Sequence, residues 1–385
     1  MNMHDGNIAI VGAAETTTIG LRPNITEIGL HVEAAHNALA DAGLSIRDVD
    51  GFASAGRTPV FELTDYLGIR PRWLDGTMVG GTSFLFHVRH AAAAIAQGLA
   101  SVVLITHGES GRTRLGSAPY GFDMTSSAAQ FEFQYGAQAP FSSFTVPALR
   151  FLKDRGMSVE HLAEVVVAQR KWAEGVPRAM KRTPTTVDEV LAGPPIAYPF
   201  TKDMCCLVTD AGGALVVTSA ERAHDLPGAD RAVYLLGSGE SSESQLVSQM
   251  EDPGSSRAFR DSSRDAFASA GLGPSDIDHL MGYDAFAHVP LYMLEDLGFV
   301  GFGESGAFVV DGHTSPGGSL PMNTNGGGLS YTHSGMYGMF AIQESVRQLR
   351  GEAAQQVDGV EVGFVQGVGY YFGASGSLVL SNRQP

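Results

Sequence analysis

Leu320-Pro321-Met322-Asn323-Thr324-Asn325-Gly326-Gly327-Gly328-Leu329-Ser330-Tyr331-Thr332-His333-Ser334-Gly335 is the stretch from which the rest of the chain can be read. It joins a polar turn, three consecutive glycines and a histidine to an apolar segment of helical spacing. Glycine weakens the interiors of helices and strands, so packing does not account for three in a row. They suit a place where backbone N–H groups come close to a ligand or to another segment. His333, six residues past Gly327, is set at the mouth of the helix that follows. A single histidine is as often a hydrogen-bonded structural residue as a functional one, and the surroundings decide between the two.

Bulk properties bound those surroundings. A chain of 385 residues holds two ordinary domains or one large duplicated one. With 44% hydrophobic and 17% charged residues it is globular and buries a core, and 48 glycines spread through apolar segments suggest tightly packed α/β layers. A net charge of −16 argues against nucleic acid and anionic membranes as partners. The two cysteines are neighbours, Cys205-Cys206, which cannot build a disulfide framework and suit a reducing cytoplasm. His87, His90, His107, His288 and His313 are scattered, and no pair has metal-ligand spacing, so no metal is expected. Without a secretory signal pattern or an apolar run of membrane-spanning length, the expectation is a soluble cytoplasmic protein.

Outward from the glycine stretch, the chain alternates strands and helices. Asn7–Gly12 reads as a buried strand ending in a glycine turn. Thr26 caps a helix with Ile28, Ala35, Leu39 and Ala42 on one face and Gly43 as its stop. Ile46–Phe52 leads into a second strand, Leu85, Val88, Ala92 and Ile95 place a helix over Thr82–Ala96, and Ser101–Thr106 is the next buried strand. From Glu109 to about Asp203 aromatics, Ser, Thr and Pro mix without a period, apart from one helix over Val159–Trp172; so long an insertion usually shapes or covers a site. Gly212–Ser219 and Arg231–Gly237 return to strand-like runs, and Gly12-Ala13-Ala14 lacks the dinucleotide-binding glycine pattern.

The second half echoes the first. Ala42-Gly43-Leu44 to Asp50 has its partner in Ala270-Gly271-Leu272 to Asp278. Val79-Gly80-Gly81-Thr82-Ser83, a helix and Ser101–Thr106 correspond to Asn325–Gly328, a helix striped by Met339, Ile342, Val346 and Leu349, and Glu361–Gln366. The same order twice implies an internal duplication, with halves at 1–230 and 231–385 and the insertion, 109–203, in the first.

A duplicated α/β chain with such an insertion, and an Asn-x-x-Gly-Gly turn six residues before a histidine, resembles the thiolase superfamily, in particular its thiolase-like branch often labelled lipid-transfer proteins. The resemblance covers essentially the whole chain. It implies a thiolase fold, two duplicated α/β halves in a five-layered α-β-α-β-α arrangement. In that branch the segment Asp203–Ala214 closes the loop region, and Tyr283-Asp284-Ala285-Phe286 stands at a strand end that supplies a catalytic residue. Asn323–Gly335 looks like the family's histidine loop, which puts His333 in the catalytic position. The departures are as informative. Gly81 stands where an acyl-transferring thiolase carries its nucleophilic cysteine, whose thiolate a helix N-terminus would stabilise. The second thiolase cysteine is missing from Val365-Gln366-Gly367-Val368-Gly369-Tyr370-Tyr371, and Cys205 and Cys206 are expected as packing residues elsewhere in the fold. Thr82 and Ser83 are hydroxyls with no evident activating base.

What remains can bind a thioester and stabilise its enolate. Gly81, Asn323, Gly327, Gly328, Gly367 and Gly369 are candidates for oxyanion and loop support, and Asp284 for bracing the loop. His333 can hydrogen-bond an oxyanion or move a proton near neutral pH. Tyr283 replaces the asparagine or histidine of acyl-transferring relatives; it is either a packed aromatic or a phenol that takes and returns a proton if neighbours lower its pKa. Likeness to the cysteine-free, thiolase-like aldolases of steroid side-chain degradation implies retro-aldol cleavage of a β-hydroxyacyl-CoA, with no cofactor beyond the CoA of the substrate. Some of those aldolases carry tyrosine where His333 stands here. The resemblance also implies a homodimer and a small partner protein with an OB-fold and a zinc ribbon. Acyl transfer or condensation without a covalent acyl-enzyme, and a non-catalytic subunit that binds acyl-CoA or lipid, stand as alternatives. Arg178–Arg182 is a solvated surface or a contact for CoA phosphates.

Overall fold

Apolar runs of four to ten residues recur along the chain between helices, and most of them become strands of one large sheet. The computed structural model describes residues 2–117, 123–138 and 140–385. The first half runs β1 (Ile8–Glu15), α1 (Glu27–Asp41), β2 (Gly51–Ser54), α2 (Val60–Leu67), β3 (Trp73–Asp75), α3 (Ser83–Ala96) and β4 (Val102–Ser110). An insertion follows with α4 (Ser127–Phe131), α5 (Pro140–Asp154), α6 (Val159–Glu174), α7 (Val187–Leu191) and the hairpin β5 (Pro195–Ala197) and β6 (Phe200–Thr201). The half closes with β7 (Asp210–Ser219) and α8 (Ala220–His224). The second half runs β8 (Val233–Ser242), α9 (Arg257–Ala270), β9 (His279–Gly282), α10 (Val289–Asp296), α11 (Ser305–Val310), α12 (Gly327–Ser330), α13 (Gly338–Arg350), β10 (Val362–Gly369) and β11 (Ala374–Ser381).

The strand order β3-β2-β4-β7-β1-β8-β11-β10-β9 shows the duplication directly. Outward from the centre, β1-β7-β4-β2 and β8-β11-β10-β9 repeat the same pairings: antiparallel, antiparallel, then parallel. The ladder between β1 and β8, where the two halves of the sheet meet, is short: it pairs Ala9 with Tyr234 and Ile10 with Val233. So thin a seam lets the sheet fold over the helices between its halves. Both α3 and α13 touch strands of each half and touch one another, while α1 covers the outer face of the first half and α9 that of the second. This is the expected five-layer arrangement. A helix between two sheets has no solvent face, which explains why α13 buries Gln343, Glu344 and Ser345 as well as its apolar stripe. No described helix is long and apolar enough to cross a membrane.

Two local expectations change. The glycine stretch does not run straight into the long helix: α12 is a single turn, and 331–337 form a loop before α13 begins. The insertion is more regular than its sequence suggests. Pro147 lies inside α5 and obscures the period, yet Phe144, Ala148, Phe151 and Leu152 recur on one buried face.

Gly338, the first residue of α13, packs closely against Gly81, two residues before α3 begins. A Cβ there would lie 2.2 Å from the carbonyl oxygen of Gly81. Helix propensity alone favours Gly338→Ala by about 1 kcal/mol. The clash with backbone outweighs it, and a net loss of roughly 1–3 kcal/mol is expected. A lowered denaturation midpoint at unchanged m-value checks this, and a more stable variant would contradict the contact.

Candidate active site

In open α/β sheets the carboxyl ends of parallel strands are where side chains gather over a crevice. Here the ends of β2, β4, β9 and β10 open into a cavity of about 430 Å³. Its wall is mostly apolar, with Met78, Phe144, Phe286, Met336 and Tyr371 among the contributors, and its polar groups are few: Arg57, Glu109, Cys206, Tyr283, Tyr370 and His333.

Tyr283 is held at the bottom. It follows β9 directly, and its N–H donates to the Gln366 carbonyl of β10 at 3.1 Å. Its ring fills the space a side chain at position 81 would need, since a Cβ on Gly81 would lie 1.6 Å from Tyr283 Cε1. The phenol oxygen is 2.7 Å from His333 Nε2 and 3.2 Å from the Gly335 carbonyl, to which it can donate. A phenol has one proton, so either it donates to Nε2, or Nε2–H donates to it while it donates to Gly335; the imidazole tautomer selects. Burial pushes the Tyr283 phenol well above its ordinary range, and the neighbouring Cys206, Glu109 and Asp284 add to the shift. The phenol is therefore a proton donor at neutral pH. The condition that neighbours lower its pKa is not met, because burial and the nearby acidic groups outweigh the hydrogen bond at the Tyr337 backbone.

The loop carrying His333 is pinned from two directions. His333 N–H donates to Thr209 Oγ1 at 3.0 Å, Thr209 N–H returns a bond to the His333 carbonyl at 3.1 Å, and the Thr209 and Thr332 hydroxyls meet at 2.9 Å. From β4, His107 Nε2 lies 2.9 Å from Ser334 Oγ. Burial lowers the His333 imidazole to about 4, so it is neutral near pH 7.

The glycine turn serves the loop rather than the cavity. Gly328 and Leu329 N–H groups donate to the two carboxyl oxygens of Asp284 at 2.7 and 3.1 Å, and Gly327 N–H donates to Asn325 Oδ1 at 2.9 Å. Gly327, at φ +66°, could carry no side chain, because Asp284 Oδ2 lies 2.3 Å from its Cβ position. Asn323 Oδ1 accepts from Gly282 N–H at 2.8 Å and so ties the loop to the end of β9. Gly367 and Gly369 let β10 approach the start of α3, with Thr82 Oγ1 and the Val79 carbonyl in their Cβ positions at 2.5 and 2.0 Å. Of the residues singled out from the sequence, Tyr283, His333 and Gly81 line the cavity; Asn323, Asp284, Gly327, Gly328, Gly367 and Gly369 do not. With their N–H groups bound internally, Gly327 and Gly328 are not free to hold an oxyanion.

No activated nucleophile takes the missing thiolate's place among the described residues. Thr82 Oγ1 accepts from Gly376 N–H at 2.7 Å, and Ser83 Oγ donates to the Gly80 carbonyl at 2.6 Å while accepting from Val79 N–H at 2.9 Å. Cys206 is not remote from the site, as its sequence position suggested, but forms part of the cavity wall. Burial pushes its thiol far above the ordinary range, and Cys205 beside it is pushed up to about 12. Among the described residues no group of three or more His, Cys, Asp or Glu stands close enough to hold a metal ion. The residue that sequence reasoning passed over is Glu109, next to last in β4, which faces the cavity. A carboxyl closing a buried apolar strand was the available signal.

Comparison with known proteins agrees with this fold. Residues 239–382 match the family model for "Thiolase C-terminal domain-like". The chain is 33% identical over 379 residues to the 17-hydroxy-3-oxo-4-pregnene-20-carboxyl-CoA lyase of Mycobacterium tuberculosis, covering 93% of this chain and 95% of that protein. It is 31% identical to the steroid side-chain-cleaving aldolase of Thermomonospora curvata, over 92% of this chain and 93% of that one. A solved structure, an Ltp2-ChsH2(DUF35) aldolase, superposes with a TM-score of 0.90 at 29% identity, over 98% of this chain and 99% of that one.

The raised thiols make a direct check. A thiolate is the reactive form and a free thiol ionises near 8.5, so at pH 8 the folded chain should react with a disulfide reagent at least roughly 100-fold more slowly than a free thiol. Both cysteines should react in denaturant. Rapid labelling of Cys206 with the fold intact would mean that a thiolate is available in the cavity.

Proposed function

The chain belongs to the thiolase superfamily, and on that premise we propose that its cavity cleaves the Cα–Cβ bond of a β-hydroxyacyl-CoA thioester by a retro-aldol reaction, without a covalent acyl-enzyme. The observation that carries the reading is the Tyr283 ring in the place of a side chain at Gly81. A thiolase-type acyl transfer needs a sulfur there, and the volume is taken. A retro-aldol step needs only proton movement: the hydroxyl proton leaves, the Cα–Cβ electron pair passes into the thioester as an enolate, a ketone or aldehyde departs, and Cα is protonated. Tyr283, held as a phenol beside neutral His333, suits the last step as donor, with the imidazole orienting the phenol and sharing its proton.

The substrate class follows from the wall. An apolar cavity of about 430 Å³ falls in the range of roughly 300–1,000 Å³ that encloses bulky small molecules, and the names of the two relatives point to the side chain of a steroid. A steroid side-chain β-hydroxyacyl-CoA is the substrate we assign. Two assemblies belong to the same reading. Exposed Phe61 and Tyr66 on α2, and exposed Leu74 on the edge strand β3, support a homodimer through the first half. The DUF35 component of the aldolase that superposes on this chain supports a heterocomplex with a small OB-fold, zinc-ribbon protein. Free thiols at both cysteines are consistent with a cytoplasmic setting.

The test is release of ketone and shortened acyl-CoA from such a substrate by the protein purified with its partner. Tyr283→Phe and His333→Ala should each lower kcat by about 10²–10⁴ with the fold intact. Gly81→Ala should lose activity as well, because the new Cβ displaces the ring. An acyl group found covalently on the protein after acid quench during turnover would refute the mechanism, and turnover undiminished in both Tyr283→Phe and His333→Ala would refute the assignment.

A further inference from the structure

The retro-aldol reading leaves one role unfilled. Something must take the hydroxyl proton, and the groups already described are poorly suited to it. Tyr283 is held protonated, Cys206 is held as a thiol, and His333 at about 4 is a weak base. Proton removal is most efficient when the base ionises near the working pH. Glu109 is far from these residues in sequence, at the end of β4, yet the fold brings it to the same spot.

Its geometry is specific. Gly335 lies at φ +88°, and a Cβ there would fall 1.9 Å from Glu109 Oε2 and 2.6 Å from Oε1. Gly335 is bare, in other words, because the carboxyl sits against it. The same residue's carbonyl is the oxygen 3.2 Å from the Tyr283 phenol. Carboxyl and phenol therefore flank one residue of the histidine loop, and all three line the cavity. Glu27, by contrast, is spent on structure: it accepts from the Thr58 hydroxyl at 2.9 Å and from the Ser117 hydroxyl.

We propose that the Glu109 carboxylate is the catalytic base of this site, taking the proton of the substrate's β-hydroxyl while Tyr283 delivers one to Cα. The proposal rests on the retro-aldol reading above. The hydroxyl proton passes to Glu109, and the freed O–H electron pair becomes the π bond of the departing carbonyl. The Cα–Cβ pair stays on Cα and delocalises into the thioester. The Tyr283 proton then goes to Cα, and the phenolate is reprotonated from the Glu109 carboxylic acid. One proton has moved from oxygen to carbon, nothing is oxidised or reduced, and both groups return to their starting states.

The surroundings tune the carboxyl for this work. Burial raises it most, the charge of Glu27 on α1 raises it further, and Arg57 after β2 and Arg114 after β4 oppose them, leaving it at about 7. Tyr283 after β9, neutral His333 and the Cys206 thiol are the other titratable groups that line the cavity with it. A base works when ionised, so kcat/KM should rise with pH through about 7 and level off above. Stability runs the other way. A carboxyl raised on folding contributes stability at low pH and loses that contribution as pH climbs through its folded value.

Glu109→Gln keeps the shape and removes the base. In the complex that cleaves a β-hydroxyacyl-CoA, it should lower kcat by about 10²–10⁴, change KM little, and abolish the acidic limb near pH 7. Glu109→Asp should restore part of the rate together with the limb. The melting temperature of Glu109→Gln should also gain on the unsubstituted protein as pH rises from about 5 to 8. That measurement reads the titration without any substrate. A Glu109→Gln protein that keeps its rate, or that keeps the acidic limb, overturns the assignment while leaving the retro-aldol reading standing. A parent complex that cleaves no β-hydroxyacyl-CoA overturns the reading, and the base assignment falls with it.

Discussion

The ring of Tyr283 and a side chain at position 81 cannot occupy the same volume. With only 1.6 Å between Tyr283 Cε1 and a Cβ on Gly81, no rotamer change at position 81 resolves the conflict, because Cβ is fixed by the backbone. The site must therefore choose between a nucleophile at the start of α3 and a phenol at the end of β9. Backbone contacts hold that choice in place. Tyr283 is tied to β10 through its N–H, while Gly81 is packed against Gly338 at the head of the other central helix. Moving either would disturb the layer of helices on which both halves of the sheet rest.

A second constraint follows from burial. The cavity wall is apolar, and an apolar wall penalises charge on whatever faces it. Tyr283 and Cys206 keep their protons and His333 stays neutral for that reason. Asp284 shows the cost of placing a carboxyl nearby: even with two N–H donors it is raised to about 7. Its return is local order, since it fixes the glycine turn from which the histidine loop departs. A pocket whose phenol, thiol and imidazole all start neutral suits a reaction in which charge passes briefly to an oxygen and then to an enolate, and is cancelled by a proton already present.

How much of this was legible in the sequence depended on whether a feature repeats. Helices α1, α3 and α6 and strands β1, β4 and β7 carry periodic apolar residues, and the duplicated Ala-Gly-Leu segments announced the two halves. Helix α5 was hidden by Pro147, which broke the pattern without breaking the helix. His333 and Tyr283 could be singled out as cavity residues because each stands in a recognisable stretch. Glu109 and Cys206 stand in none: each is a single residue whose neighbours in space, Gly335 and Tyr283, are far away in the chain. The glycine turn misled in a different way. Three glycines do signal close approach, but the partner that comes close is Asp284, not a ligand, and a sequence does not say which.

The duplication also bears on the asymmetry of the cavity. Topology makes β2 the counterpart of β9 and β4 the counterpart of β10. After β9 comes Tyr283, whereas after β2 come Ala55 and Gly56, the latter at φ +146° with nothing nearer to its Cβ position than Met336 Cε at 3.7 Å. Near the end of β4 stands Glu109, whereas the matching place in β10 is Gly369. Each pair thus sets one reactive group opposite one small or apolar residue, and all four strand ends meet at the same opening. If the halves had stayed alike, two tyrosines and two carboxyls would crowd that opening and leave no room for an acyl chain. Divergence at these few positions turns a symmetric scaffold into a cavity with a phenol on one side, a carboxyl on another, and open space between them.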